Sequence, residues 1–202
     1  MLLITSLIPL LIFSAISISS FITKSTEDVY QQNEGKLDTA KAEISGMLEK
    51  YINTLNVIAN QPAIRNFELK YAKTILVDAV TVNPDLIIAL DDAQGQQVVK
   101  SNDDGLTNVY EREFFKLAIS GINDYVSDIL VSKVTGKLNF VISTPVRNVK
   151  NKVVGVLQAS AELTKVSNFV AELSDDGSTV YVLSRQGTVL AHPNSEYVMN
   201  QE

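Results

Sequence analysis

No cysteine occurs anywhere in the 202 residues. That absence removes disulfides, thiolate metal sites, iron–sulfur clusters and cysteine nucleophiles together. Histidine is nearly as scarce: His192 stands alone, so no second imidazole exists to complete a two-histidine metal site. Basic residues are the minority, 17 Lys+Arg against 23 Asp+Glu for a net charge of −6, and they form no cluster. The electrostatic footprint that a phosphate backbone requires is missing, so nucleic acid is not an expected partner, and no cofactor or metal is expected either. With 46% hydrophobic and 20% charged residues the chain still has the composition of a globular protein rather than a disordered one.

Charge is absent altogether from residues 1–23, MLLITSLIPLLIFSAISISSFIT, so every ionisable side chain lies beyond them. At a rise of about 1.5 Å per residue this stretch matches the roughly 30 Å hydrocarbon core of a bilayer. A cleaved signal peptide would need a basic leader, a shorter apolar core and a small-residue cleavage site; the first Lys is Lys24, and Ser20-Phe21-Ile22 is a poor cleavage pattern. The expectation is a single transmembrane helix over 1–23. From Leu37, apolar residues recur at Ala40, Ile44, Met47, Tyr51, Leu55 and Ile58, in steps of three and four, and Pro62 marks the end. A helix over 24–61 would run about 57 Å, longer than a small domain is wide. Gly35 and Gly46 each weaken it by roughly 1 kcal/mol, so packing has to hold it. Half of the stripe suits the chain's own domain, and the rest suits the seam of a homodimer.

Beyond the long helix the pattern changes. A second helix is expected near Arg65 to Val80, then an apolar strand at Leu86 to Leu90, turn chemistry at Asp91 to Gly95, and a returning strand at Gln96 to Lys100. The same arrangement recurs at Thr179 to Leu183 and Thr188 to Ala191. Between the two hairpins lie a helix at Glu111 to Ser120, β-rich runs at Asp124 to Ser132, Leu138 to Val146 and Val153 to Ala161, and a helix at Leu163 to Leu173. This is an α+β plan: an antiparallel sheet with helices on one face.

Several constellations that could carry chemistry fail on inspection. Lys100 to Gly105 followed by Glu111 mimics a calcium loop, but its first ligand would be Lys100, a cation. His192 has no nucleophile arranged with it and reads as a turn residue, which leaves a membrane-anchored hydrolase disfavoured. The pairs Asp91-Asp92, Asp103-Asp104 and Asp175-Asp176 are adjacent and read as solvated turn residues rather than acid/base dyads.

Tyr110-Glu111-Arg112-Glu113-Phe114-Phe115-Lys116-Leu117-Ala118, Tyr125-Val126-Ser127-Asp128, Ser132 to Lys137 and Val153-Val154-Gly155-Val156 stand in order behind the uncharged start. With Asp175 to Gly177, Gln186-Gly187-Thr188 and Ala191-His192-Pro193-Asn194, the chain resembles the double Cache sensory domain of bacterial methyl-accepting chemotaxis receptors. The resemblance implies PAS-like modules outside the cytoplasm and a cell-membrane location. It divides the chain into an anchor over 1–23, a long helix over 24–61, a membrane-distal ligand module over 62–161, and a connecting helix with the start of a proximal module over 162–202. Only the first hairpin of that proximal module is expected here, so the chain reads as part of a receptor. The same input domain also serves sensor histidine kinases and cyclic-dinucleotide enzymes.

In amino-acid-binding members of that family an Arg followed by two aromatics grips the ligand carboxylate, while tyrosines and an aspartate hold the ammonium. The resemblance places Arg112, Phe114 and Phe115 in the first role, with Tyr125, Asp128 and Ser160 completing the candidate site. Arg112 has the planar, permanently charged fork that suits a carboxylate. Three positions depart from the pattern: Thr107 and Leu130 stand where tyrosines are usual, and Ser160 where the aspartate is. A neutral serine cannot balance a desolvated ammonium, so the expected ligand is a small carboxylate-bearing solute rather than an ordinary amino acid, unless Glu162 or Asp128 supplies the charge.

Overall fold

A computed structural model describes residues 2–127, 129–132, 138–175, 177–184, 187–194 and 196–199 of the chain, leaving out the side chains of 2–12, 15, 131 and 199. Helix α1, Leu2–Ala59, is continuous over 58 residues, about 87 Å at 1.5 Å per residue. The stripe seen in the sequence is used by the chain itself. Ala40, Tyr51, Leu55 and Ile58 are buried, Ile44 and Met47 are partly buried, and Leu37 stays exposed. Among the described residues no helix is long and apolar enough to cross a membrane, so the anchor expected over 1–23 rests on the sequence.

After α1 the chain departs from the expected helix at Arg65 to Val80. A single turn, α2, Pro62–Arg65, uses the fixed proline at its start, and α3, Leu69–Val82, begins only after a break. Phe67 causes that break with a φ of 55°, a left-handed conformation unusual for an aromatic residue. Its ring lies against Gly155, where a Cβ would overlap both the Phe67 ring and the Asp91 carbonyl oxygen. The glycine is therefore a close-approach position between helix and sheet.

Strands β1, Leu86–Asp92, and β2, Gln97–Lys100, form the first hairpin. Helix α4, Glu113–Ile119, follows, then β3, Tyr125–Val126, β4, Leu130–Val131, β5, Leu138–Arg147, and β6, Val153–Glu162. The sheet is antiparallel in the order β2-β1-β6-β5-β3, with β4 also on β5. Alternation along the strands separates two faces. Leu86, Ile88, Leu90, Ile142 and Leu157 pack against Leu55, Ile64 and Leu76 of the three preceding helices. Val141 and Val156 point the other way, to Val109, Phe114, Phe115 and Ala118. The expectation of helices on one face is thus corrected: α4 covers the opposite face, because its apolar side matches the interleaved set of strand residues.

Helix α5, Thr164–Leu173, leads to a separate two-stranded sheet of β7, Val182–Leu183, and β8, Val189–Ala191, followed by the short α6, Glu196–Met199. Val166, Val170 and Ala191 form a small core there, against Ile44 and Met47 of α1.

Candidate functional site

Where α4 and the segment before it lift off the sheet, they leave a cleft of about 480 Å³. That is the size of a small-molecule site. Its floor comes from strand alternation. Gln158 and Ser160, together with Glu162, occupy every second position of β6, while Ala159 and Ala161 serve the core behind. Ile87 and Ala89 of β1, Gln97 and Lys100 of β2, and Asn139 and Val141 of β5 extend the same face. Val109, Arg112 and Phe114 close it from above, with Thr107, Leu130 and Ser132 at its sides.

The segment over the floor is tied to β2 by its backbone. Gln97 donates its N–H to the Thr107 carbonyl at 3.1 Å, Val109 donates to the Gly95 carbonyl at 2.8 Å, and the Gln97 Oε1 accepts from the Thr107 N–H at 2.9 Å. Gly95 makes this possible with a φ of 76°; a Cβ there would meet the Tyr110 nitrogen at 2.6 Å. Arg112 holds the N-cap position of α4 in an extended conformation, φ −76° and ψ 136°, so the helix starts two residues later than Glu111. The Ser143 hydroxyl donates to the Phe114 carbonyl at 3.0 Å and pins the helix from below.

On the same face lies a group that the sequence assigned to a solvated turn. Asp92 does serve the turn, its Oδ1 accepting from the Gln94 and Gln96 N–H groups at 2.9 Å each. Asp91, by contrast, is a strand residue with 0% exposure. The Gln158 amide donates to both of its oxygens, at 2.9 and 2.8 Å. Burial pushes the Asp91 carboxyl well above the ordinary 3.8; the Gln158 bond opposes that rise and the neighbouring Asp92 charge adds to it.

One rim of the cleft joins three elements. Asp85 forms an ion pair with Lys165 of α5 and accepts from the Tyr51 hydroxyl of α1 at 3.3 Å. Burial, followed by the Asp85 charge and hydrogen bond, pushes the Tyr51 phenol up to about 12.

Of the residues expected at the site, Arg112, Phe114 and Ser160 line the cleft, as do Thr107 and Leu130 at the positions where tyrosines are usual. Phe115 does not: it is fully buried beneath, its ring 6.1 Å from that of Tyr110. Tyr125 sits on β3 opposite Ser143 and packs half-buried against the core under α4. Asp128 lies outside the described residues. Glu162 lines the cleft. Sequence reasoning overlooked Lys100, Gln97 and Gln158. The signal was there in β6, where Gln158, Ser160 and Glu162 alternate with Ala159 and Ala161, a polar face on a strand that has to be buried on both sides.

The loop that mimics a calcium site is held by a lysine instead. Lys73 donates to the Asn102 carbonyl at 2.9 Å and pairs with Asp103 at 3.0 Å. Among the described residues no group of His, Cys, Asp and Glu could hold a metal ion. His192 accepts the Asn194 N–H on its Nδ1 at 2.9 Å and stacks edge-on to Tyr197 at 4.6 Å, as a turn residue does.

A family model described as Cache domain matches residues 18–201. No curated protein matches the chain. Among solved structures, the ligand-binding domain of the Campylobacter jejuni chemoreceptor Tlp3, in complex with 4-methylisoleucine, is similar at 14% identity and a TM-score of 0.67, over 83% of this chain and 70% of that one. The ligand-binding domain of the Pseudomonas fluorescens chemoreceptor CtaA, in complex with L-serine, is similar at 21% identity and a TM-score of 0.68, over 81% and 72%. The CtaA domain with L-isoleucine gives 21% and 0.67 over 81% and 68%.

Proposed function

The chain belongs to the Cache domain family, and from that premise we propose that it is the extracytoplasmic sensory domain of a chemoreceptor that binds a small carboxylate-bearing solute over its sheet. The observation that carries this reading is Arg112 lining a cleft of about 480 Å³ whose nearby floor is the neutral Gln158 and Ser160. A guanidinium fork offers a carboxylate two parallel charge-assisted hydrogen bonds, and Phe114 supplies an apolar wall beside it. Residues 62–161 would be the ligand module, and 162–202 the connecting helix and the start of a second. The uncharged residues 1–23 support a membrane anchor, and the long α1 offers a seam for a homodimer.

Such a domain makes and breaks no covalent bond in its ligand. It works by binding two receptor states with different affinity, and the Asp85 junction gives that difference a route: cleft rim, long helix and α5 meet on one carboxylate. The same input suits a sensor histidine kinase or a cyclic-dinucleotide enzyme, whose outputs lie on the far side of the membrane.

A second reading, an amino acid ligand, is favoured by Glu162, a carboxylate lining the cleft that could receive an ammonium. The amino acids held by the Tlp3 and CtaA domains support it. Against it stands Ser160, which gives an ammonium no counter-charge on the floor. A thermal-shift screen of the full chain in detergent, with proteinogenic amino acids set against short carboxylates, separates the two. Carboxylates are expected to bind, and Arg112→Ala is expected to weaken them by about 1.5–3 kcal/mol in calorimetry, the value of a hydrogen bond to a charged group. Unchanged affinity in that variant overturns the assignment of Arg112.

A further inference from the structure

We propose that the cleft takes a short dicarboxylate, with Lys100 receiving the second anionic group. The inference deepens the reading of the cleft as a carboxylate site and rests on it.

Lys100 lines the cleft and is only 7% exposed. Its register explains the position: it pairs with Ala89, which on its other side pairs with Gln158, so the lysine lies on the floor's face two strands from β6. That separation is about 10 Å. Among the described residues no hydrogen bond or ion pair reaches its ammonium. The acids nearby are directed elsewhere, Asp91 to the Gln158 amide on both oxygens and Asp104 to the Asn102 amide at 2.7 Å. Lys165, also at the cleft, is paired with Asp85.

The stem of Lys100 is buried in the floor, and its ammonium meets no carboxylate among the described residues, so it is presented to whatever enters the cleft. A solute that brings its own negative group to Lys100 supplies the counter-charge on binding. With Arg112 above and Lys100 at the β2 side, one carboxylate of an extended dicarboxylate meets each cation. The neutral Gln158 and Ser160 lie on the floor beside them; of the carboxylates in the lining, Asp85 is paired with Lys165, Asp104 accepts from the Asn102 amide, and Glu162 stands at the end of β6, four residues beyond Gln158.

Calorimetry on the full chain in detergent compares succinate, glutarate and adipate with butyrate, valerate and hexanoate, the monocarboxylates of equal length. At least one dicarboxylate should bind roughly tenfold or more tightly than its monocarboxylate partner. Lys100→Gln should erase that advantage while leaving the monocarboxylate within about twofold, and Lys100→Arg should retain it. Lys100→Met, similar in volume and uncharged, repeats the comparison if the glutamine variant melts early. Equal affinity for both members of every pair, or an equal loss for both in Lys100→Gln, overturns the inference. Monocarboxylate binding that depends on Arg112 with no dicarboxylate advantage overturns this inference alone, whereas silence from all six acids overturns the carboxylate reading with it.

Discussion

Asp91 shows how one side chain can escape a reading based on its neighbours. Beside Asp92 and before Ala93-Gln94-Gly95 it looks like half of a turn, yet the strand runs two residues further than the turn chemistry suggests, to Asp92, and the pleat then carries the carboxyl under the cleft. Burial makes it a weaker acid, so at intermediate pH the folded state holds a proton that the unfolded chain has released. Stability from this group is therefore fully present below the ordinary carboxylate range, and it is lost as pH rises towards the folded value. Asp91→Asn keeps the shape and one acceptor for Gln158 but cannot ionise. Urea midpoints measured from about pH 4 to 7 should fall more steeply for the natural protein than for the variant. Parallel slopes would show that Asp91 ionises in the fold as freely as in the unfolded chain.

The hairpin of β7 and β8 faces the opposite difficulty, since two short strands are barely stable in water by themselves. Two things hold it: the small core of Val166, Val170 and Ala191, and a tie from α1. Lys36 reaches the turn before the hairpin, pairing with Asp175 at 2.5 Å and donating to the Ser178 hydroxyl at 2.6 Å. The Lys36 bond, helped by the Gly177 N–H and Ser178, holds the Asp175 carboxyl down to about 2. A depressed carboxylate stabilises above its unfolded value and loses that contribution as pH falls, here between about pH 4 and 2. Hydrogen exchange over 182–191 should quicken roughly severalfold in Asp175→Asn, with exchange in β5 and β6 unchanged. An unchanged hairpin would mean that the apolar contacts alone secure it.

Across the whole molecule, cohesion is uneven. One large core joins α1, α2 and α3 to the central strands, whereas the cluster under α4 and the one under α5 are smaller. Leu157 sits in the middle of β6 with 0% exposure, between β1 and β5. Leu157→Ala should destabilise the main unfolding transition by about 2–5 kcal/mol, the range for a leucine cavity that cannot collapse. A cost well under 1 kcal/mol in chemical denaturation would mean that the sheet relaxes around the gap.

Much of this was legible in the linear sequence. The period of three and four from Ala40 to Ile58, the apolar strands, a turn closing at Gly95 and the isolation of His192 follow from local rules, because backbone propensity and side-chain periodicity act over a few residues. The order of Arg112, Phe114 and the later glycine-bearing strand was enough to mark the family, and Arg112 and Phe114 do line the candidate cleft. Tertiary structure alone decided the rest. Phe115 went to the core and Phe114 to the cleft wall because adjacent helical residues point about 100° apart, and only the sheet's position says which direction is inside. Lys100, rejected as a calcium ligand from its place in a loop, proved to be the last residue of β2 and faces a site assembled from β1, β5, β6 and α4. That juxtaposition depends on strand order, and strand order is set by pairing between segments far apart in the chain, which no local pattern records.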